Sequence, residues 1–589
     1  MKFHLFLCCL FFINSNSAQS SQDIIKINQS GYYTAAPKIA VLTSDFSTDE
    51  YAGSAFGFYI LTADVGDTVF KNKLGPVRTS PNSSIKTRIA DFSSFKTPGS
   101  YVLYVPGIGS SYIFEIGDAI HKDAAVAVLK GFYFQRSSIP LEEKFAGKWH
   151  RPAGHPDTAV LIHPSAADKK RPKGAVISTP GGWYDAGDYN KYVVNSGITT
   201  ATLLSAHEDF SNYFENLDVN IPESGNGVPD ILDEALYNIR WMLTMQDPND
   251  GGVYHKCTNA SFDPMVRPGV TKLPRYVVQK STAAALNFAA VMAQASRIFQ
   301  QYERHYPHLA DSLLKAAMDA WGWAKKNPTL VYEQNTINKS MEPKVTTGAY
   351  GDRKFSDEWF WAASELLGTT GNRTYYDTVL SHLEDRATLP SWNEVQYLGY
   401  YTMVRLKKKL PAFCASTSEL LSKRIIAFAD AYLSRIDTSA FRTVMGATKS
   451  EFNWGSNSNA ANQGIALINA YLVTQEKKYI DAALTNMDYL LGRNATGYSF
   501  VTGIGKKSTM RPHHRPSIAD GIEDPVPGLL AGGPNPGMQD KAYYEHKEAE
   551  TAYSDTDASY ASNEIAINWN APAVYLFNGI EALKNKVGY

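Results

Sequence analysis

Residues 229–243 read Pro229-Asp230-Ile231-Leu232-Asp233-Glu234-Ala235-Leu236-Tyr237-Asn238-Ile239-Arg240-Trp241-Met242-Leu243, and their period decides the fold. Leu232, Leu236, Ile239 and Leu243 recur every three or four residues, which places them on one face of an α-helix. Pro229 has no amide hydrogen to lose and a φ suited to a first turn, so it opens the helix. The same period runs on from His121 to the C-terminus. It predicts about twelve helices, near 121–134, 193–208, 230–246, 281–301, 311–326, 356–367, 373–386, 393–405, 418–435, 460–475, 479–491 and 564–585. An even set of helical hairpins implies an all-α ring closed on itself, with an open solenoid as the alternative that spacing leaves standing.

N-terminal to this region the period is two. Tyr101-Val102-Leu103-Tyr104-Val105 and Tyr112-Ile113-Phe114-Glu115-Ile116 alternate, and Thr97-Pro98-Gly99 and Pro106-Gly107-Ile108-Gly109 supply turns. Residues 22–117 therefore read as a small all-β sandwich. Before it, Met1-Lys2, an apolar run from Leu5 to Ile13 and a polar stretch containing Ala18 have the order of an export signal, residues 1–18, too short to span a bilayer. A secreted or periplasmic protein is expected, without a membrane span once that segment is removed, and as a monomer. Lys plus Arg number 57 against 58 Asp plus Glu, so no basic surface offers itself to nucleic acid. Apart from Cys8 and Cys9 in the leader, only Cys257 and Cys414 remain, too few for a disulfide framework or a four-ligand zinc site.

Long stretches at 174–192, 247–280, 441–459 and 497–563 interrupt the helices and are dense in Trp, His and Asp, so chemistry belongs there. Three clusters stand out. In Gly181-Gly182-Trp183-Tyr184-Asp185-Ala186-Gly187-Asp188-Tyr189, two carboxylates three apart on a turn can address one water, although a calcium loop or helix cap uses the same residues. Pro512-His513-His514-Arg515 offers donors to sugar hydroxyls or developing charge, and adjacent His residues also serve as metal ligands. The third holds Tyr553, Asp555, Tyr560, Glu564, Trp569 and Asn570, with Glu564 expected to open the last helix, where the helix dipole alone would favour an acid.

Together these clusters resemble the family 9 glycoside hydrolases, the cellulase family, over roughly residues 118–589. One family pattern spaces Ser499, Val501, Thr502, Gly505, Lys507, Pro512, His513 and Arg515 as here; another spaces Tyr553, Asp555, Tyr560, Glu564, Ala566, Asn570 and Ala571; the base motif is Asp185 to Asp188. The resemblance implies an (α/α)6 barrel preceded by an immunoglobulin-like module. It also implies hydrolysis of β-1,4-glucosidic bonds in cellulose or a related β-glucan by inversion, which needs carboxyls about 6.5–9.5 Å apart. Asp188 would be the general base, Asp185 its partner on the water and Glu564 the general acid, with Asp555 supporting and His513 and Arg515 contacting the sugar. Trp392, Trp454, Tyr560 and Trp569 are candidate sugar contacts. No cofactor is required by this chemistry. Asp357 and Glu358 match positions that bind calcium in some members, but Ser356-Asp357-Glu358 also reads as a plain helix start. Zinc is not expected, because residues 149–163 supply His150, His155 and His163 without Cys. Two other functions stay open: an exo-acting hydrolase of cello-oligosaccharides or β-glucosaminides, and a glycan-binding protein without turnover.

Overall fold

The computed structural model describes residues 21–44 and 57–589. The expected export signal lies outside them. Strands β1 (Ile25–Lys26), β2 (Ile39–Ser44), β6 (Lys86–Asp91) and β5 (Arg78–Thr79) form one antiparallel sheet, in the order β1-β2-β6-β5. Strands β4 (Thr68–Lys73), β3 (Gly57–Thr62), β7 (Gly99–Val105) and β8 (Gly109–Ser110) form the other, with β9 (Phe114–Ile116) also on β7. Ala40, Leu42, Phe58, Ile60, Leu103 and Phe114 fill the space between them. This is the immunoglobulin-like sandwich. Alternation fails in β2, where Ile39, Ala40, Val41 and Leu42 are all buried. The reason is docking: Ala40 and Leu42 face the sandwich core, while Ile39, Val41 and Ile89 meet Ala440 and Phe441 of the helical domain.

Polar contacts reinforce that seam. Asn28 Nδ2 donates to Asp488 Oδ1 at 2.7 Å, Tyr33 Oη to Glu581 Oε1 at 2.5 Å and Thr87 Oγ1 to the Ala440 carbonyl at 2.7 Å. Gln29 reaches the long 497–563 segment, donating to the Gly497 carbonyl and accepting from the Lys507 amide.

The helical domain contains α1 (Lys122–Gln135), α2 (Val193–Phe214), α3 (Asp230–Thr244), α4 (Thr282–Phe299), α5 (Leu309–Lys326) and α6 (Ser356–Thr370). It continues with α7 (Arg373–Ser381), α8 (Gln396–Arg405), α9 (Ala415–Ile436), α10 (Ser456–Thr474), α11 (Lys478–Leu490) and α12 (Ile567–Val587). Every helix expected from the period is present. The even-numbered helices form an inner ring: α2 packs on α4, α4 on α6, α6 on α8, and α10 on α12, which returns to α2. Outer helix α9 packs on both α8 and α10. The ring closes, so the fold is an (α/α)6 barrel and the open solenoid is excluded. Composition explains the two layers. Helix α4, TAAALNFAAVMAQASRIF, buries every residue but Arg297, as a helix surrounded by others must. Outer helix α5 buries Leu313, Ala317, Ala320 and Ala324 and turns Lys315, Lys325 and Lys326 to water.

Three local expectations change. Pro229 is the N-cap of α3, one residue outside the helix. The 174–192 and 247–280 stretches are not simply loops; they carry part of a five-stranded sheet in the order β11-β10-β14-β13-β12. Its strands are β10 (Val160–Ile162), β11 (Val176–Ile177), β12 (Lys191–Tyr192), β13 (Lys256–Asn259) and β14 (Arg275–Val277), too short to show a period. Finally, α12 begins at Ile567, not near Glu564. Residues 564–566 are extended because their backbones pair elsewhere: Glu564 with His513, Ile565 with Ala531 and Ala566 with Ala186. The helix-dipole reading of Glu564 falls with that.

Candidate active site

Most candidate catalytic and sugar-contacting residues lie in segments that lead into an inner helix. Asp185 and Asp188 precede α2, Trp392 precedes α8, Trp454 precedes α10, and Glu564 precedes α12. Chain segments 328 residues apart meet at Gly187, whose carbonyl accepts from the Arg515 amide at 3.1 Å and from Arg515 Nη1 at 2.8 Å. The glycine is obligatory, since a Cβ there would stand 2.0 Å from the His513 carbonyl oxygen. The Asp185 carbonyl in turn accepts from the Ile567 amide at 2.8 Å. Backbone hydrogen bonds, more rigid than side-chain contacts, thus join all three sequence clusters.

Asp185 is buried, with Oδ1 accepting from Asn195 Nδ2 at 2.8 Å and Oδ2 from Tyr350 Oη at 3.0 Å. Burial and then the Asp188 charge push its pKa up to about 8, against the pull of those two hydrogen bonds. The hydrogen bonds of Asp188 all fall on Oδ2, from Asn190 Nδ2 at 2.5 Å, the Asn190 amide at 3.4 Å and Tyr192 Oη at 3.3 Å. Its Oδ1 has no donor among the described residues and is available to a water. Glu564 is half-buried. Burial, then the charges of Asp188 and Asp185, hold its carboxyl well above the usual carboxylate range, while Arg515 and the Gly187 amide pull it down. A carboxyl so placed favours its protonated form, the form that can give a proton away.

Around Glu564, His513 Nδ1 bonds the Asp557 carbonyl at 2.6 Å, so this nitrogen is the donor, and burial lowers the ring's pKa. His514 turns the other way: Nε2 meets Gln135 Oε1 and Nδ1 meets Ser517 Oγ, both at 2.9 Å, and burial drops its pKa to about 3. The adjacent histidines therefore do not share a ligand. Arg515 Nε donates to the Asp263 carbonyl, which leaves Nη2 and the second Nη1 hydrogen as its remaining donors. Asp555 accepts from the Met510 and Arg511 amides, both at 2.9 Å, and from Asn563 Nδ2 at 3.1 Å. It shapes the turn ahead of His513 and steadies the residue before Glu564.

The aromatic residues form two arms. Trp392 meets Tyr350 edge-on, ring centres 5.3 Å apart, and Tyr350 reaches Asp185. In the second group His513 lies 5.9 Å from Tyr560, which lies 5.5 Å from Trp454, itself 43% exposed. Trp569 is different in kind, wedged beneath the Trp454 turn, where a Cβ on Gly455 would stand 2.5 Å from its Nε1.

Asp357 and Glu358 occupy the first turn of α6. Asp357 Oδ2 accepts from the Val395 amide, but Asp357 Oδ1, both Glu358 oxygens and Asp352 Oδ2 are buried without hydrogen-bond partners. Burial, followed for Glu358 by the charges of Asp357 and Asp352, raises these carboxyls, that of Glu358 far above its ordinary value. Orphaned carboxylate oxygens fit a hard cation such as calcium. They do not make a closed set by themselves, since among the described residues no three His, Cys, Asp or Glu side chains converge as metal ligands. In the segment considered for zinc, His155 bonds Tyr184 Oη and His163 bonds Ser165 Oγ and the Pro343 carbonyl. Cys257 and Cys414 are separate buried thiols.

Sequence reasoning missed Asn190, Tyr192, Asn195 and Tyr350. The last left a trace: Tyr350 sits at φ 45°, a conformation rare for a bulky residue, in Gly348-Ala349-Tyr350-Gly351.

A carboxyl held well above its ordinary range, a second carboxylate with a free oxygen, and two groups of aromatic rings are the parts of a glycoside hydrolase site. The chain belongs to glycosyl hydrolase family 9, whose profile matches residues 121–577, and the profile of the cellulase N-terminal ig-like domain matches residues 20–110. A xyloglucan-specific endo-β-1,4-glucanase of Bacteroides ovatus is 46% identical over 563 residues, 95% of this chain and 94% of that one. Endoglucanase D of Acetivibrio thermocellus is 32% identical over 568 residues, 94% and 83% of the two chains. A solved family 9 glycoside hydrolase structure from Bacteroides ovatus matches with a TM-score of 0.90 at 45% identity, over 95% of this chain and 99% of that one. Among the described residues no helix is long and apolar enough to cross a membrane.

Proposed function

We propose that the protein is a secreted endo-β-1,4-glucanase that works by single displacement with inversion, and that its glucan is a branch-bearing xyloglucan. The observation that carries the catalytic reading is the contrast at Gly187: Glu564, raised far above an ordinary carboxyl, and Asp188, with Oδ1 open, are tied to one another through backbone pairing. Glu564 protonates the glycosidic oxygen as it leaves. Asp188 removes a proton from water on the opposite face, and Asp185, its carboxylate held by Asn195 and Tyr350, orients that water. Acid and base each contribute roughly 10²–10⁴-fold. Asp555 and His513 position this machinery, and Trp392, Tyr560 and Trp454 carry sugar rings along the two arms. The xyloglucan preference is supported by the 46% identity to an enzyme of that specificity. Asp357 and Glu358 would hold a structural calcium ion through their unpartnered carboxylate oxygens.

The test is a pair of substitutions with two classes of substrate. Asp188→Ala should lose turnover on all of them, because the attacking water is always needed. Glu564→Ala should stay active on aryl glycosides with good leaving groups and fail on polymers. Proton NMR of the wild-type reaction should show the α-anomer first; a first-formed β-anomer would remove Asp188 as base. Viscosity falling faster than reducing ends appear separates endo from exo action, and turnover on xyloglucan below that on unbranched β-glucan would refute the preference.

A further inference from the structure

The catalytic aspartates owe their geometry to a segment that touches neither substrate nor water in the scheme above. Tyr350 Oη bonds Asp185 Oδ2. Two residues earlier in the chain, the Gly348 amide donates to Tyr192 Oη at 3.1 Å, and that hydroxyl bonds Asp188 Oδ2. Residues 348–350 therefore reach both aspartates, each through a tyrosine. They have no helix or strand of their own to hold them.

What holds them is the entrance to β13. Lys256 Nζ is surrounded by the Gly348 carbonyl at 2.6 Å, Gln334 Oε1 at 2.8 Å and Thr347 Oγ1 at 2.9 Å. Three acceptors match the three protons of an ammonium ion. Its neighbour His255 places Nε2 2.8 Å from the Ala349 carbonyl, and the ring stacks on Tyr332 with centres 4.4 Å apart. Two consecutive side chains so grip three consecutive residues. Lys256 is wholly buried and has no carboxylate in salt-bridge contact among the described residues, an expensive placement for a lysine unless it does something there. Its amino group also lies over the Tyr192 ring, 5.4 Å from the centre, on the very residue that bonds Asp188.

We propose that Lys256 is a positioning residue for catalysis, fixing Asp185 and Asp188 through the 347–350 segment by way of Tyr350 and Tyr192. This rests on the assignment of Asp188 as base. The lysine touches no reacting atom. Its contribution is that both aspartates keep one orientation, and that Asp185 keeps the hydrogen bond from Tyr350 that pulls its pKa down.

Lys256→Met, which retains the aliphatic stem, and the milder Thr347→Val should each lower kcat, the first by about tenfold, the rate equivalent of one charge-assisted hydrogen bond. KM on a short cello-oligosaccharide should not change. The acid limb of the kcat/KM profile should move to higher pH as Asp185 loses the Tyr350 donor that pulls its pKa down. Introduced into a Tyr192→Phe/Tyr350→Phe background, Lys256→Met should cost little more, because the route is already cut. Losses that multiply in that background, or a Lys256→Met protein that melts earlier but keeps its kcat and acid limb, would overturn the proposal. Should Lys256→Met fail to fold, an unchanged kcat and acid limb in Thr347→Val would do so alone. Asp188→Ala measured alongside separates the two claims: activity in that variant sinks the base assignment, whereas its inactivity beside a normal Lys256→Met sinks only the role of Lys256.

Discussion

Replacing Gly187 by alanine adds a single methyl group at the point where the three catalytic segments meet. That carbon would stand 2.0 Å from the His513 carbonyl oxygen, with the His513 carbonyl carbon at 3.0 Å and the ring Cδ2 at 3.1 Å. Relief requires the two backbones to part by about 1 Å, and a displacement of that size at reacting groups costs on the order of 100-fold in rate. Nothing soft lies in the way. His513 is held by its amide on the Asn563 carbonyl at 2.9 Å and by Nδ1 on the Asp557 carbonyl, while the Gly187 carbonyl carries two bonds from Arg515. The base loop and the acid strand must therefore separate as bodies. Gly187→Ala should lose about 100-fold in kcat on an aryl β-cellobioside, and its melting temperature should fall as well. Gly322→Ala is the control. Gly322 lies within α5 with open space around an added Cβ, so that change should leave activity intact and gain about 0.5–1 kcal/mol of stability. A Gly187→Ala enzyme within threefold of the parent would refute the reasoning that this contact sets the catalytic geometry.

The buried Asp185 carboxyl titrates near 8 in the fold against an ordinary 3.8, so between those values the folded chain keeps a proton that the unfolded chain has released. Stability accordingly falls as pH rises through that window. Asp185→Asn should raise the melting temperature more at pH 8 than at pH 5; calorimetry showing an equal gain at both would count against the assignment. Deleting residues 22–117 should lower the melting temperature of the barrel by about 5 °C or more, because Ala440 and Phe441 lose their cover and Asp488 and Glu581 lose Asn28 and Tyr33. An equally stable barrel that lost only polymer binding would make the module a binding domain. Calcium in excess over chelator should raise the melting temperature of the parent and leave an Asp357→Asn/Glu358→Gln protein unmoved, a comparison open to thermal-shift measurement.

Long helices were legible in the chain because burial on one face leaves a repeat, and burial all round, as in α4, leaves an apolar run too long for a strand. What escaped had a shared physical cause. β10 to β14 are two to four residues long, less than one cycle of alternation can define. In β2 the alternation is absent because its second face is covered by another domain, which no local pattern records. Glu564 looked like a helix start because Asn563 and an apolar run flank it, but the backbone of 564–566 has better partners in strands brought from far along the chain. Asp185, Asp188, His513 and Arg515 were marked by the family pattern they resemble, whereas their types and spacing alone left a calcium loop, a helix cap or metal ligands open. Tyr350 and Tyr192 were not found, since a tyrosine that orients a carboxylate looks like any other aromatic until the structure brings the two together.

The meeting at Gly187 also bears on how the molecule comes into being. Its partners are 328 residues apart, and α12, the last helix, must close against α2 before Ala566 can pair with Ala186. Hairpins such as α4 and α5 need only their own neighbourhood and can form early, whereas contacts of such span wait until the chain between them is already ordered. A nascent chain would therefore possess most of its helical content while still inert, and on renaturation turnover would return after the circular dichroism signal. The enzyme is switched on by the closing of its own ring.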